Sequence, residues 1–196
     1  MIRFFDILFS LLGLLILLPF FILIAFIIVC TTKSCSVFYI QQRVGKNNKD
    51  FTLIKFRTMR KNADKTSLLT VGENDVRITK TGRFLRKYKL DELPQLWNVL
   101  KGDMSLVGPR PEVRKYVNLY TDDQKLVLKV RPGITDYASI EYVNENQLLA
   151  RSKDPEKYYM EEIMPKKLLI NLTYIENCKL KEYFKILLVT VRAVFR

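Results

Sequence analysis

Histidine is absent from this chain of 196 residues, and cysteine occurs only at Cys30, Cys35 and Cys178, with no spacing that binds a metal. The two absences exclude a structural zinc site, a Ser-His-Asp triad and histidine-borne phosphoryl transfer. A nucleophile in this chain must be a carboxylate, Cys, Lys, Tyr or a hydroxyl. Glycine is scarce too, at 7 residues, and none falls in a Walker or dinucleotide-binding loop. Repeats and low-complexity segments are missing. Acidic residues number 20 against 33 Lys and Arg, a net charge of +13, which points to an anionic partner: nucleic acid, lipid headgroups or a phosphorylated substrate. Charge alone does not choose among them.

Charge of either sign is missing from Ile7 to Thr32, a run longer than the roughly 20 apolar residues that cross a bilayer. A cleaved signal peptide does not fit, because the apolar stretch is too long and no small-residue cleavage site follows it. Pro19 stands within the run, where it removes a backbone hydrogen bond and can turn a helix back on itself. The part from Lys33 onward is strongly basic and is expected to stay cytoplasmic, while Arg3 and Asp6 give the N-terminal flank little charge contrast. On the residues alone, a spanning anchor and a re-entrant helix both stay open.

The most informative stretch runs from Leu90-Asp91-Glu92-Leu93-Pro94 through Gly102 to Gly108-Pro109-Arg110-Pro111. Proline is tolerated in the first turn of a helix, so a helix is expected to begin near Asp91, with Asp91 as its N-cap, and to end at Gly102. Such a start suits a bound phosphate or a carboxylate that must stay ionised. Two prolines fix the backbone around Arg110, and a rigid guanidinium loses little entropy when it grips a phosphate. An isolated Asp-Glu pair is more often a cap followed by a first-turn acid. Here the context argues for a phosphate site.

The run Leu90-Asp91-Glu92-Leu93-Pro94-Gln95-Leu96-Trp97-Asn98-Val99-Leu100-Lys101-Gly102-Asp103-Met104-Ser105, followed by Gly108-Pro109-Arg110-Pro111, closely resembles the signature of the bacterial sugar transferases, the small monotopic phosphoglycosyl transferases that prime glycan assembly. The resemblance implies transfer of a sugar 1-phosphate from a UDP-sugar to undecaprenyl phosphate with release of UMP. Asp91 would be the nucleophile and Glu92 its catalytic neighbour. It also implies that the N-terminal helix is broken at proline and re-entrant, with residues 1–32 in the membrane and 33–196 forming one catalytic domain. That domain would face the cytoplasm at the bacterial inner membrane. The fold class expected is α+β, mainly helical, with a small β-hairpin and interfacial amphipathic helices.

Around the dyad, Phe38–Gly45 and Phe51–Met59 read as strands joined by the polar turn Lys46–Asp50. Alternation puts Lys55 and Arg57 on one face, which by itself is equally a solvated face; the resemblance places this segment at the active site and makes both cations substrate contacts. Ile78 to Lys89 has helical spacing, with Phe84, Leu85 and Tyr88 on one face and Arg83, Arg86 and Lys87 on another. Arg86 matches a family position usually held by Arg. Residues Asn62 to Asp75 read as a loop, and Glu112 to Val130 as a helix. Arg131 in Arg131-Pro132-Gly133 resembles a phosphate contact of the family. Beyond it the pattern departs: Val143 stands where many members carry Arg, which puts one donor contact in doubt. Leu180 to Arg196 is a basic, apolar helix for which the headgroup boundary and a core position both stay open.

Mg²⁺, with Mn²⁺ as its substitute, is the expected metal, since it takes one or two carboxylates plus substrate phosphates, and Asp91 with Glu92 supplies them without histidine. The basic side chains Lys55, Arg57, Arg86, Arg110 and Arg131 would neutralise the remaining charge. Two rival readings are a membrane-tethered nucleic-acid-binding protein and a basic scaffold. The first lacks any groove-reading motif, and its charge is spread along the chain. The second would not need Asp91 and Glu92 intact. Whether the chain forms a homodimer is not decided by the sequence.

Overall fold

The computed structural model of the chain describes residues 1–32, 36–60, 63, 69–72 and 75–194. Lys33, Cys35, Arg196 and much of the expected loop from Asn62 to Asp75 lie outside them. The fold is mainly helical, with two small two-stranded sheets.

Helix α1, Ile2–Thr32, runs 31 residues and so is about 45 Å long. The helical assignment continues through Pro19, so the expected break is not a gap in the helix; a proline costs one hydrogen bond and can be carried where the rest of the helix is held. What holds it is the rest of the domain, along its whole length. The Arg3 guanidinium donates to the carbonyls of Leu100 and Met104 at 3.1 and 3.4 Å. Asp6 is buried and accepts from Ser105 Oγ, the Leu106 N–H and Tyr183 Oη, each at 2.9 Å. Farther on, Gly13 lies against Leu96 and Phe21 edges onto Phe56. Ile24 and Ile28 pack with Phe56 and Leu85. At the other end Thr81 meets Thr31 through their hydroxyls at 3.1 Å. The inward stripe thus holds the helix's polar side chains, while Leu15, Ile16, Ile22 and Phe26 on the outer side are more than half exposed.

The hairpin is present as expected. Strands β1, Phe38–Val44, and β2, Asp50–Phe56, pair antiparallel with Phe38 opposite Phe56. The turn is possible because Asn47 and Asn48 take left-handed conformations, which Asn tolerates better than most side chains. Helix α2, Lys80–Lys87, is capped by the Thr79 hydroxyl, which accepts from the Gly82 N–H. Its inward face differs from the expected one. Leu85 and Gly82 are buried, whereas Phe84 and Tyr88 meet as a tilted ring pair at the surface. Gly82 is required there, because a Cβ would lie 2.1 Å from the Thr58 carbonyl oxygen.

Two further expectations are corrected. Asp91 is not the N-cap of a long helix: Leu90–Glu92 forms one 3-10 turn, and α3, Gln95–Lys101, begins after Pro94. Proline has no N–H to carry a ladder from the turn into the helix, so the two stay separate. Gly102 does end α3, in the left-handed conformation. Between Glu112 and Val130 there are two pieces, α4, Arg114–Val117, and a 3-10 segment, Gln124–Lys129. Thr121 and Gln124 exchange hydrogen bonds between their side chains and N–H groups. This reciprocal cap restarts the chain.

Strands β3, Ser105–Val107, and β4, Gly133–Thr135, pair in parallel, a contact the sequence reading did not anticipate. Their crossing carries Gly108 so close to Gly133 that a Cβ on Gly133 would sit 2.1 Å from the Gly108 nitrogen. Short helices α5, Tyr137–Glu141, α6, Glu145–Ala150, and α7, Pro155–Tyr158, lead into α8, Met164–Glu176. Helix α9, Leu180–Val194, buries Tyr183 and Ile186 in the core formed with Val99, Met104 and Val107, while Leu188 and Val191 face outward. The core position thus holds for one face of this helix, and the other face is exposed and apolar.

Candidate active site

The short 3-10 turn puts Asp91 and Glu92 side by side, and both are buried, at 6% and 8% exposure. Two ionised carboxylates in such a place repel, and burial penalises each charge. The structure resolves this by giving the cations to one of them. Glu92 Oε1 accepts from Lys55 Nζ at 3.0 Å and from Arg110 Nη2, and its Oε2 accepts from Arg110 Nη1 at 3.1 Å. Burial works to raise the Glu92 pKa, but Arg110 and then Lys55 overcome it and hold the carboxyl well below its usual range.

Asp91 is left alone. No group among the described residues hydrogen-bonds its carboxylate. Burial first, and the Glu92 charge second, push its pKa above the ordinary Asp value, against the pull of Lys55 and Arg86. An open carboxylate facing a cavity, beside a neighbour whose charge is fully met, is the arrangement expected of a nucleophile.

Arg110 is held at its backbone as well. Its N–H donates to Asp136 Oδ2 at 2.9 Å, and Asn171 Nδ2 donates to the same oxygen at 3.0 Å. Asp136 is wholly buried and also caps α5. The parallel strand pair sets the approach: the Gly108 N–H donates to the Thr135 carbonyl, and the Gly133 N–H to the Pro109 carbonyl, both at 3.0 Å.

The dyad opens on a cavity of about 310 Å³ whose lining includes Lys55, Arg57, Arg86, Arg110 and Val143. Arg86 donates through Nε to Thr58 Oγ1 at 3.0 Å and through Nη1 to Thr70 Oγ1 at 3.1 Å. The Arg57 guanidinium turns to the Ser36 carbonyl and hydroxyl at 3.0 and 2.9 Å. Four of the five expected cations therefore share the cavity. Arg131 does not join them; its Nε donates to the Gly102 carbonyl at 2.9 Å, outside the lining. Three contributors were missed. Asp136 and Thr58 carry no motif of their own beyond a cap residue and a place in Lys55–Met59, and Lys89, which also lines the cavity, shows no periodic signal.

Among the described residues no group of three His, Cys, Asp or Glu could enclose a metal ion. The donor set is the open Asp91 carboxylate beside an engaged Glu92. That fits a hard cation which keeps waters and takes substrate phosphates as ligands, as Mg²⁺ and Mn²⁺ do, and does not fit zinc.

A family model described as bacterial sugar transferase matches residues 1–196. The chain is 44% identical over 158 residues to the uncharacterized sugar transferase EpsL of Bacillus subtilis, covering 81% of this chain and 69% of EpsL. It is 44% identical over 107 residues to the UDP-N-acetylgalactosamine-undecaprenyl-phosphate N-acetylgalactosaminephosphotransferase of Aeromonas hydrophila, covering 53% of this chain and 25% of that protein. Similarity to the undecaprenyl-phosphate galactose phosphotransferase of Salmonella typhimurium is 43% over 148 residues, 68% of this chain and 31% of the relative. The two relatives with a named reaction are thus matched over about a third of their length or less.

The environment of Asp91 sets two outcomes. Its folded pKa lies above its unfolded value, so its ionised form costs stability at neutral pH, and the cost sets in as pH rises above the ordinary Asp range. Asp91→Asn should raise the melting temperature by about 2–4 °C per kcal/mol relieved, read by thermal unfolding in detergent. The acid limb of activity should lie above the usual carboxylate range. Glu92→Gln, which removes a like charge and frees two cations, should move that limb to lower pH.

Proposed function

The chain belongs to the bacterial sugar transferase family, and from that premise we propose that it is a phosphoglycosyl transferase that moves a sugar 1-phosphate from a UDP-sugar to undecaprenyl phosphate at the start of glycan assembly. The observation that carries the reading is the split dyad: an open, buried Asp91 beside a Glu92 clamped by Lys55 and Arg110.

In the first step an Asp91 carboxylate oxygen attacks the β-phosphorus of the donor. The bond from that phosphorus to the bridging oxygen breaks, and its electron pair leaves with UMP. In the second, an oxygen of undecaprenyl phosphate attacks the same phosphorus. The bond to Asp91 breaks, the carboxylate is regenerated, and a polyprenyl diphosphosugar departs. A covalent relay lets each anionic substrate enter separately. Arg110, held at its backbone by Asp136 and at its side chain by Glu92, is preorganised to face phosphate oxygens, and Arg86 and Lys55 add charge to the same wall. Arg57 contributes from the rim. Mg²⁺, or Mn²⁺, would be held by Asp91 and by Glu92 as Lys55 or Arg110 yields one oxygen, and when bound it supplies neutralisation of the donor diphosphate. Val143 lines the cavity and leaves apolar surface there, which suits donor selection different from that of members with Arg.

Helix α1 is read as re-entrant in the inner membrane, with the catalytic domain on the cytoplasmic face. The support is that both ends of α1 touch the domain, through Arg3 and Asp6 at one end and Thr31 at the other, while the outer side is apolar. The exposed Phe84, Trp97 and Leu188 on helices around α1 suit the headgroup boundary.

Incubation with a panel of UDP-sugars, undecaprenyl phosphate and Mg²⁺ should release UMP for one or a few donors, and EDTA should stop it. Without acceptor, a radiolabelled sugar phosphate should stay on the protein and be lost in Asp91→Asn. A labelled adduct in that variant would show that another residue is the nucleophile.

For topology, Ile2→Cys in a background lacking the natural cysteines should resist an impermeant maleimide on intact cells and react after permeabilisation. Labelling from outside would mean that α1 spans the membrane.

A further inference from the structure

Lys89 ends helix α2 in the left-handed region, at φ 56° and ψ 17°, with its N–H donating to the Arg86 carbonyl at 3.1 Å. Glycine fits such a helix-ending position without strain, and lysine does not. The side chain is therefore kept against the preference of its own backbone, which directs attention to what the side chain reaches. It lines the cavity together with Asp91 and Glu92. Of the other cations lining it, Lys55 and Arg110 are engaged by Glu92, Arg86 by Thr58 and Thr70, Arg57 by Ser36, Arg43 by Glu112 and Lys167 by Glu145; Arg60 also lacks a side-chain partner among the described residues, and of the two only Lys89 adjoins the dyad in sequence. Lys89 makes no salt bridge or side-chain hydrogen bond among the described residues.

Its neighbours fix its direction of approach. Leu90, the next residue, packs against the cluster that Ile24 and Ile28 of α1 form with Phe56 and Leu85. Tyr88, the one before, belongs to the exposed aromatic pair on α2. Lys89 thus stands where the apolar surface beside α1 passes into the cavity, one residue from Leu90 and two from Asp91. A phosphate on a lipid chain that followed α1 inward would meet this ammonium on its way to the dyad.

Building on the transferase reading, we infer that Lys89 binds the phosphate monoester of the lipid acceptor and presents its oxygen to the phosphorus carried on Asp91. The donor diphosphate is served by the cations already fixed around Glu92.

The test separates the two half-reactions in the full chain. Adduct formation is followed from the UDP-sugar alone, and discharge of the adduct is followed as a function of undecaprenyl phosphate. Lys89→Gly should melt a few degrees higher than the natural protein, since it relieves the backbone. It should nevertheless raise the acceptor KM about tenfold more than the UDP-sugar KM, the loss expected of one charge-assisted hydrogen bond. Lys89→Gln should show the same acceptor defect without the gain in melting temperature, and Lys89→Arg should recover most of the acceptor affinity. An unchanged acceptor KM in both Lys89→Gly and Lys89→Gln would overturn the inference, as would a defect confined to the UDP-sugar, which would assign the ammonium to the donor. Absence of any adduct in the natural protein would instead overturn the transferase reading, and that result is seen before acceptor is added.

Discussion

Burying two adjacent carboxylates is the constraint around which the catalytic half of this fold is arranged. Neither Asp91 nor Glu92 can be ionised in a cavity without compensation, and the chain provides it for one residue alone. The compensation draws on distant segments: Lys55 from β2 and Arg110 from the loop after β3 close on Glu92. Breaking that cluster by removing one partner would leave a buried charge unmet, which costs far more than the net strength of the pair. The asymmetry has a chemical consequence. With Glu92 satisfied, Asp91 keeps its lone pairs free, and its raised pKa marks a carboxylate that gains from forming a bond. The desolvation cost of the pair thus falls on a single side chain, the one that the proposed transfer uses as its nucleophile.

Arg110 shows how much backbone is needed to aim one guanidinium. Flanking prolines restrict the chain, but they do not say where it points. Direction comes from the parallel pairing of β3 with β4, from the glycine contact at Gly108 and Gly133, and from Asp136, which binds the Arg110 N–H while capping α5. Asn171 on α8 fixes Asp136 in turn. A chain of polar contacts through Asn171, Asp136 and Arg110 therefore links α8 to the dyad, with Asn171 Oδ1 alone in it buried and without a partner among the described residues.

Local chemistry was legible in the sequence where a residue type has one physical use. The hairpin, with Asn47 and Asn48 in its turn, the end of α3 at Gly102 and the cluster of Asp91, Glu92, Lys55, Arg86 and Arg110 all follow from local patterns or from the resemblance those patterns carry. Misreadings arose where long-range packing overrode periodicity. Phe84, Leu85 and Tyr88 read as one face, yet of the three only Leu85 turns inward, beside Gly82 where α2 passes close to Thr58. The segment from Glu112 to Val130 keeps helical spacing across a break at which Thr121 and Gln124 cap each other. The β3–β4 pair had no signal of this kind, since three-residue strands far apart in sequence are defined only by each other. Arg131 likewise stands beside a recognisable turn, but its guanidinium is spent on the end of α3.

Helix α1 inverts the usual distribution of polarity. Arg3, Asp6, Ser10 and Gly13 lie along its protein-facing stripe, and Leu15, Ile16, Ile22 and Phe26 lie on the outside. In water that outer face would be a large apolar patch of the kind that marks a membrane or partner surface. In lipid the inner stripe could not stand alone, because Asp6 would lose the hydroxyls of Ser105 and Tyr183 and the N–H of Leu106. Each side calls for its own partner, which on the proposed reading are the bilayer outside and the catalytic domain inside. The same contacts fix the dyad relative to that boundary: Asp6 holds Ser105 at the start of β3, the strand that leads to Arg110, and the cluster that Ile24 and Ile28 form with Phe56 and Leu85 packs against Leu90, the residue before Asp91. With α1 in a bilayer as proposed, a single helix would set both the depth of the domain at the membrane and the position of the two side chains on which the proposed transfer depends.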